Sequence, residues 1–133
     1  MRELASEILH NYARGRVLVA VDAPPGSDTA GFAADLVEAV RAEGHAASGE
    51  PLDAFATRRA EGSGPAVPGE VEDVVHVVDG PGAQRDDLRG TWHLVLWLAQ
   101  AGEARGGTGR AGATIVVDAA DPGHPRRVYD DAC

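Results

Sequence analysis

The segment Ala23-Pro-Pro-Gly-Ser-Asp-Thr-Ala30 holds the residues whose types and order bear most directly on chemistry. It follows a continuous apolar run, Arg16-Val-Leu-Val-Ala-Val21, closed by Asp22, and it precedes a helix-like stretch. A strand, a glycine-bearing turn and a capped helix form the context in which backbone N–H groups curl around an anion. Phosphate chemistry at such a turn calls for Gly-x4-Gly-Lys-Ser/Thr, because a lysine must reach the outer phosphates and a hydroxyl must hold magnesium. Laid on this chain, the pattern begins at Ala23, and its last three positions fall on Asp28, Thr29 and Ala30. Every defining position differs. Only the internal Gly26 and Ser27 suit a phosphate turn.

Other chemistry-bearing residues are more scattered. Asp22, Asp79 and Asp118 each close an apolar run, and ligands of open α/β sheets bind beyond the carboxyl ends of strands. Aspartate also ends strands and begins turns for purely structural reasons. His10, His45, His76, His93 and His124 show no metal-ligand spacing, so no metal site is expected. His76 falls inside an apolar run and reads as a hydrogen-bonded core or interface histidine. Ser27 lacks the Gly-x-Ser-x-Gly elbow of a hydrolase nucleophile. Trp92 and Trp97 flank one apolar run and read as packing residues rather than base-stacking platforms. Asp130-Asp131 reads as a solvated tail, and Cys133 does not read as a prenylation box, which needs three residues after the cysteine.

Composition narrows the mechanisms further. The chain contains no lysine; its 12 cationic side chains are all arginine, set against 21 Asp and Glu for a net charge of −9. No Schiff-base or phosphate-reaching lysine is possible. A negative field repels nucleic acid and anionic membrane, so neither is an expected partner. One cysteine permits no internal disulfide or cysteine–metal cluster. The acidic start, Met1-Arg2-Glu3-Leu4, does not read as a signal peptide, and no run reaches the roughly 18 apolar residues of a membrane span. A cytoplasmic protein is the expectation.

The 133 residues suit a single domain, and a chain of this size buries about two-thirds of its unfolded surface without staples. Leu4, Ile8 and Tyr12 lie at i, i+4 and i+8, which predicts a helix over 2–13 with Gly15 available to end it. Arg16–Val21 reads as a central parallel strand. Ser27 or Asp28 can cap a helix running to Glu43, with Phe32, Leu36, Val37 and Val40 inward and Gly44 as its stop. Ala46-Ala-Ser48 suggests a short strand. Residues 51–70 read mostly as loop, with a turn around Phe55. Asp73–Val78 and His93–Leu98 are strong strands, and 84–91 suggests a short helix between them. Residues 101–112 are glycine-rich and read as a linker. Ala113–Val117 predicts a further strand, and Arg126–Tyr129 a last short one. Strong strands interleaved with helices give an α/β fold, a three-layer sandwich on a mainly parallel sheet of about five strands.

Four colinear segments resemble the uridine-kinase-like P-loop family. Val19-Ala-Val-Asp-Ala-Pro-Pro-Gly-Ser-Asp-Thr-Ala-Gly-Phe-Ala33 is similar to its first strand, phosphate loop and helix, roughly V-D-G-x-x-G-S-G-K-T-T-F-A. Leu52-Asp-Ala-Phe-Ala-Thr-Arg58 is similar to its Asp-Asp-Phe-(His/Tyr)-x-x-Arg stretch. Val77-Val-Asp-Gly80, through Asp87-Leu-Arg-Gly-Thr-Trp-His-Leu-Val-Leu-Trp-Leu98, resembles V-(D/E)-G-V-F-L-L-x-P-E-L-R-x-x-W-D-L-x-(V/I)-x-L. Ile115-Val-Val-Asp-Ala-Ala-Asp-Pro122, with Pro125-Arg126, resembles the closing V-V-D-N-x-D-P-x-x-P-R. The resemblance implies a nucleoside-kinase-like P-loop sheet. It also implies Asp53 as base toward a substrate hydroxyl, Asp79 as the strand-end acid near the metal, and Gly26, Ser27, Asp28, Thr29 and Ala30 as the phosphate loop.

The departures from that pattern carry a message of their own. The family's lysine falls on Thr29, its magnesium-side hydroxyl on Ala30, and a glycine on Asp28. A carboxylate about 4 Å from a phosphate charge costs roughly 4 kcal/mol at an effective dielectric of 20. Asp28 also satisfies the helix N–H groups itself. Ala54 loses a second carboxylate, His93 replaces an acid, residues 51–70 read as a remnant of the substrate region, and the linker 101–112 stands where an arginine-bearing lid helix belongs. The expectation is a degenerate, non-catalytic P-loop domain acting as a binding or assembly module, without ATP or magnesium. Lost covering helices would leave apolar surface for a homodimer or protein partner. The alternative is an ATP- and Mg2+-dependent nucleoside kinase in which Arg16 or Arg58 replaces the lysine. A nucleoside-like ligand bound without phosphate chemistry is a third possibility.

Overall fold

The computed structural model describes residues 1–12, 14–24, 26–62, 72–88, 90–99, 115–118 and 126–128. In chain order the elements are α1 (Arg2–Asn11), β1 (Arg16–Asp22), α2 (Thr29–Ala42), β2 (Ala46–Pro51), α3 (Leu52–Ala60), β3 (Val74–Asp79), a 3-10 turn (Asp86–Leu88), β4 (Leu94–Ala99), β5 (Ile115–Asp118) and β6 (Arg126–Val128).

The strands form one sheet in the order β2-β3-β1-β4-β5-β6. All neighbours from β2 to β5 run parallel, and β6 is antiparallel to β5. The sheet is thus α/β and mainly parallel as expected, with one strand more at its edge. β1 is central and buried on both faces, which is why its sequence is apolar at every step from Val17 to Val21 rather than alternating. Val17, Val19 and Val21 face α1 and α2, whereas Leu18 and Ala20 face α3 and the 3-10 turn. After β1 the chain crosses to β2 on one side of the sheet, and β5 lies on the other side of β4. Strand order therefore reverses between β1 and β4, and crevices for ligands form at such reversals.

Local sequence accounts for most element ends. α1 buries Leu4, Ala5 and Ile8, and it stops at Asn11 rather than near Gly15, with the Tyr12 N–H returning to the Ile8 carbonyl. α2 begins at the Asp28 cap and buries Ala33, Leu36, Val37 and Val40. Gly44 ends it with φ +85°, a conformation that favours glycine. The third strong strand starts at Leu94 and leaves His93 exposed just before it.

Two expectations need correction. The described part of 51–70 is not mostly loop, because α3 occupies Leu52–Ala60. The glycines and prolines that suggested a loop lie beyond Glu61. Within 52–60 there is no breaker, Pro51 presets the entry with φ −70°, and Leu52 and Phe55 bury one i, i+3 face. The short helix expected over 84–91 is only the 3-10 turn Asp86–Leu88. Residues 63–70 and the linker 101–112 lie outside the described residues, as do positions 113, 114 and 129 of the predicted last strands.

Candidate functional site

The carboxyl ends of β1 and β3 meet the start of α2 in a tightly self-bonded corner. Asp22, the last residue of β1, is 3% exposed. Its Oδ1 accepts from the Ala23 N–H at 2.8 Å and the Gly82 N–H at 3.0 Å, and its Oδ2 accepts from Gln84 Nε2 at 3.1 Å. The loop after β1 is thereby tied to the loop after β3. Nothing local in the sequence marks Asp22 for this role, since its partners Gly82 and Gln84 are remote along the chain.

Among the described residues of the turn, Ser27 and Thr29 spend their N–H groups internally. Gly26 adopts φ +88°. The Ser27 N–H donates to the Pro24 carbonyl at 3.2 Å and the Thr29 N–H to the Ser27 carbonyl at 3.1 Å. Asp28 caps α2, its Oδ1 accepting from the Gly31 N–H at 2.9 Å. A Cβ on Gly31 would come 2.6 Å from Asp28 Oδ2, so the carboxylate lies directly over the helix N-terminus. Thr29, 5% exposed, donates its hydroxyl to Asp79 Oδ2 at 3.0 Å. Burial raises the Asp79 pKa; the Thr29 hydroxyl and the residue's own backbone N–H pull it back, and the nearby Asp28 charge raises it again. Ala30 is exposed and contributes only a methyl group.

Beside this corner lies a cleft of about 370 Å3 between α2 and β2. Ala30, Ala33, Val37, Gly49 and Pro51 form its apolar wall, and Asp79 closes one end. The space exists because the facing residues are small: a Cβ on Gly49 would already meet Val37 Cγ2 at 3.3 Å.

The remaining expected residues divide between the two ends of the sheet. Asp53 is exposed in the first turn of α3. That turn abuts Gly80, where a Cβ would come 2.8 Å from Leu52 Cβ, so Asp53 and Asp79 share the carboxyl edge. Arg16 begins β1, about 20 Å of strand away from the loop, and cannot stand in for a phosphate lysine. Arg58 is paired with Glu50 on the α3 side and cannot do so either. The backbone of Asp118 ends β5, and its side chain lies outside the described residues. His93 lies at the opposite edge, its Nδ1 accepting from the Leu18 N–H at 3.0 Å. His76 is buried and hydrogen-bonded to Ser48 and Glu50. Trp92 packs on Phe55 with ring centroids 5.0 Å apart and donates Nε1–H to the Ala83 carbonyl at 2.7 Å. Trp97 is buried in β4.

Among the described residues, no group of three or more His, Cys, Asp or Glu is placed to hold a metal ion, and no helix is long and apolar enough to cross a membrane. Comparison with protein-family models, with curated proteins and with solved structures finds no match for the chain.

Proposed function

We propose that the chain is a degenerate P-loop domain of uridine-kinase-like descent that has lost phosphoryl transfer and acts as a binding or assembly module. The observation that carries this reading is the closed state of the loop. Asp28 occupies the N-terminus of α2, and the Thr29 hydroxyl is spent on Asp79. The loop's location at a reversal of strand order, after the first strand and before a capped helix, supports the descent.

Phosphoryl transfer depends on positive charge held against the phosphates. Here the position that would carry the lysine is Thr29, and a carboxylate fills the anion's place. These residues do not fit a nucleoside triphosphate. Asp53 and Asp79 are the residues the resemblance makes a base and a metal-side acid, but neither arginine proposed to replace the lysine joins them: Arg16 is too far and Arg58 is engaged elsewhere.

The cleft beside Asp79 supports the binding role. A volume of about 370 Å3 falls within the usual range of small-molecule pockets, and a nucleoside-like ligand without a phosphate requirement suits its apolar wall and the polar rim of Glu38, Arg41, Glu50 and Asp79. A homodimer or a protein partner completes the assembly side of the proposal.

Calorimetry with ATP and Mg2+ tests the central claim. No heat is expected at millimolar nucleotide. Clear micromolar binding that Gly26→Asp abolishes would establish the kinase alternative instead. A thermal-shift series over nucleosides tests the cleft, with a shift expected that is lost when Ala34→Phe, at an exposed lining position, fills it.

A further inference from the structure

His76 lies in the middle of β3, 1% exposed, between two side chains of β2. Its Nδ1 is 2.7 Å from Ser48 Oγ, and its Nε2 is 2.8 Å from Glu50 Oε1. Strand register explains the arrangement. Ser48 and His76 are paired across the β2–β3 ladder, and Ser48 and Glu50, two residues apart, project to the same face. Glu50 also pairs with Arg58 of α3, whose guanidinium sits 5.4 Å from the centroid of the Phe55 ring.

The chemistry of these groups fixes the direction of the hydrogen bonds. A carboxylate beside a guanidinium only accepts, so His76 Nε2 carries the hydrogen. In the neutral ring, Nδ1 is then the lone-pair nitrogen, and the Ser48 hydroxyl donates to it. A hydroxyl donating to an imidazole that is oriented by a carboxylate has the polarity of nucleophile, general base and positioning acid.

A donor for developing negative charge is also in place. The Ala47 carbonyl oxygen accepts from Arg41 Nε at 3.1 Å and Nη2 at 2.9 Å, which turns the polar groups of Ala47 outward from the sheet. Alternation along the strand turns the Gly49 N–H the same way. β2 is the terminal strand, and among the described residues no strand pairs with that side. The N–H of the residue after the nucleophile is the position from which serine hydrolases draw an oxyanion donor. Ser48 itself is half-buried.

We propose that Ser48 is a base-activated nucleophile that cleaves small carboxylic esters at the open edge of β2, with His76 as general base and Glu50 as positioning residue. Ser48 Oγ bonds to the ester carbonyl carbon while its proton passes to His76 Nδ1. The carbonyl electron pair moves onto oxygen, toward the Gly49 N–H. Collapse breaks the bond to the alkoxide, which leaves as the alcohol with the proton from Nδ1, giving acyl-Ser48. Water repeats the sequence and releases the carboxylic acid, regenerating the Ser48 hydroxyl.

The test uses the full chain and an alkyl fluorophosphonate, from which Ser Oγ displaces fluoride. Peptide mapping by mass spectrometry should find the adduct on Ser48, and Ser48→Ala should abolish both that adduct and the turnover of p-nitrophenyl acetate. Glu50→Gln, with its fold checked by circular dichroism, should slow labelling by about a hundredfold. Nitrogen-15 NMR of His76 gives a readout that does not depend on activity, and it should find Nε2 protonated and Nδ1 bare. A folded wild-type chain that takes no label at Ser48, an adduct confined to Ser27 or another residue, an unchanged rate in Glu50→Gln, or the opposite His76 tautomer would each overturn the proposal.

Discussion

Asp28 caps α2 at the turn after β1. Its carboxylate takes the Gly31 N–H, and a side-chain cap of this kind is worth about 1 kcal/mol of stability. Asp28→Ala should lower the unfolding free energy by that amount, seen as a lower denaturation midpoint with an unchanged slope against denaturant. An unchanged midpoint would mean that the cap contributes nothing. Asp79 adds a pH dependence whose sign follows from its environment. Burial raises its pKa above the value of about 3.9 for an unfolded chain. Between these two values the folded protein binds more protons than the unfolded one, so stability falls as pH rises through the window. The contribution of this group is fully present below the unfolded pKa and is lost above the raised one. Asp79→Asn should remove that decline, so the variant gains on the wild type as pH climbs from about 3 to about 7. Thermal melts across that range read the difference, and parallel curves for the two proteins would contradict it. Asp28 is one of the causes that raise the Asp79 pKa, so Asp28→Ala should also narrow the window from its upper end.

α3 is the element that sequence patterning hides and packing makes necessary. Phe55 is 1% exposed and joins Leu52, Leu88 and Trp92 in the core on the α3 side. Phe55→Ala should cost about 3–5 kcal/mol, a large share of the stability of a domain this size, measured by chemical denaturation. A loss below about 1 kcal/mol would mean that α3 is not held by its core face. Gly80 fixes where that helix starts. A Cβ there would meet Leu52 Cβ at 2.8 Å, so Gly80→Ala must shift α3 or strain the turn. Such contacts also decide what could be read from sequence. The strands β1, β3 and β4 were legible because strands buried on both faces are written as unbroken apolar runs. The Asp28 cap was legible because capping is local. α3 was not, because its apolar face amounts to Leu52 and Phe55, and the breakers after Glu61 outweighed it. The Ser48–His76–Glu50 chain was not legible either. It depends on the register of β2 against β3, and Ala46-Ala-Ser-Gly-Glu50 carries no local sign of that register.

Association sets the packing of a two-sided sheet against a strongly acidic surface. Among the described residues, α1 and α2 cover one face with 10 and 14 residues, whereas α3 supplies 9 to the other. Among the described residues the α3 side carries fewer helical residues, and there the proposed second copy or partner would add cover. Electrostatics opposes self-association, since each copy carries a net charge of −9. Repulsion between like-charged copies acts over the Debye length, about 30 Å at 0.01 M salt and about 8 Å at 0.15 M. Apolar contacts are not screened in this way, and added salt strengthens them if it acts at all. A homodimer of this chain should therefore be favoured by salt. Light scattering at micromolar concentration should give a mass moving from one copy toward two as sodium chloride rises from about 0.01 M to about 0.5 M. The thermal midpoint should rise over the same range, because screening also relieves repulsion within each copy. A mass that stays at one copy while the midpoint rises would remove the homodimer and leave a different protein as the partner for the α3 side. A mass that falls with salt would mean that opposite charges hold the copies together, which the excess of 21 acidic over 12 basic side chains argues against.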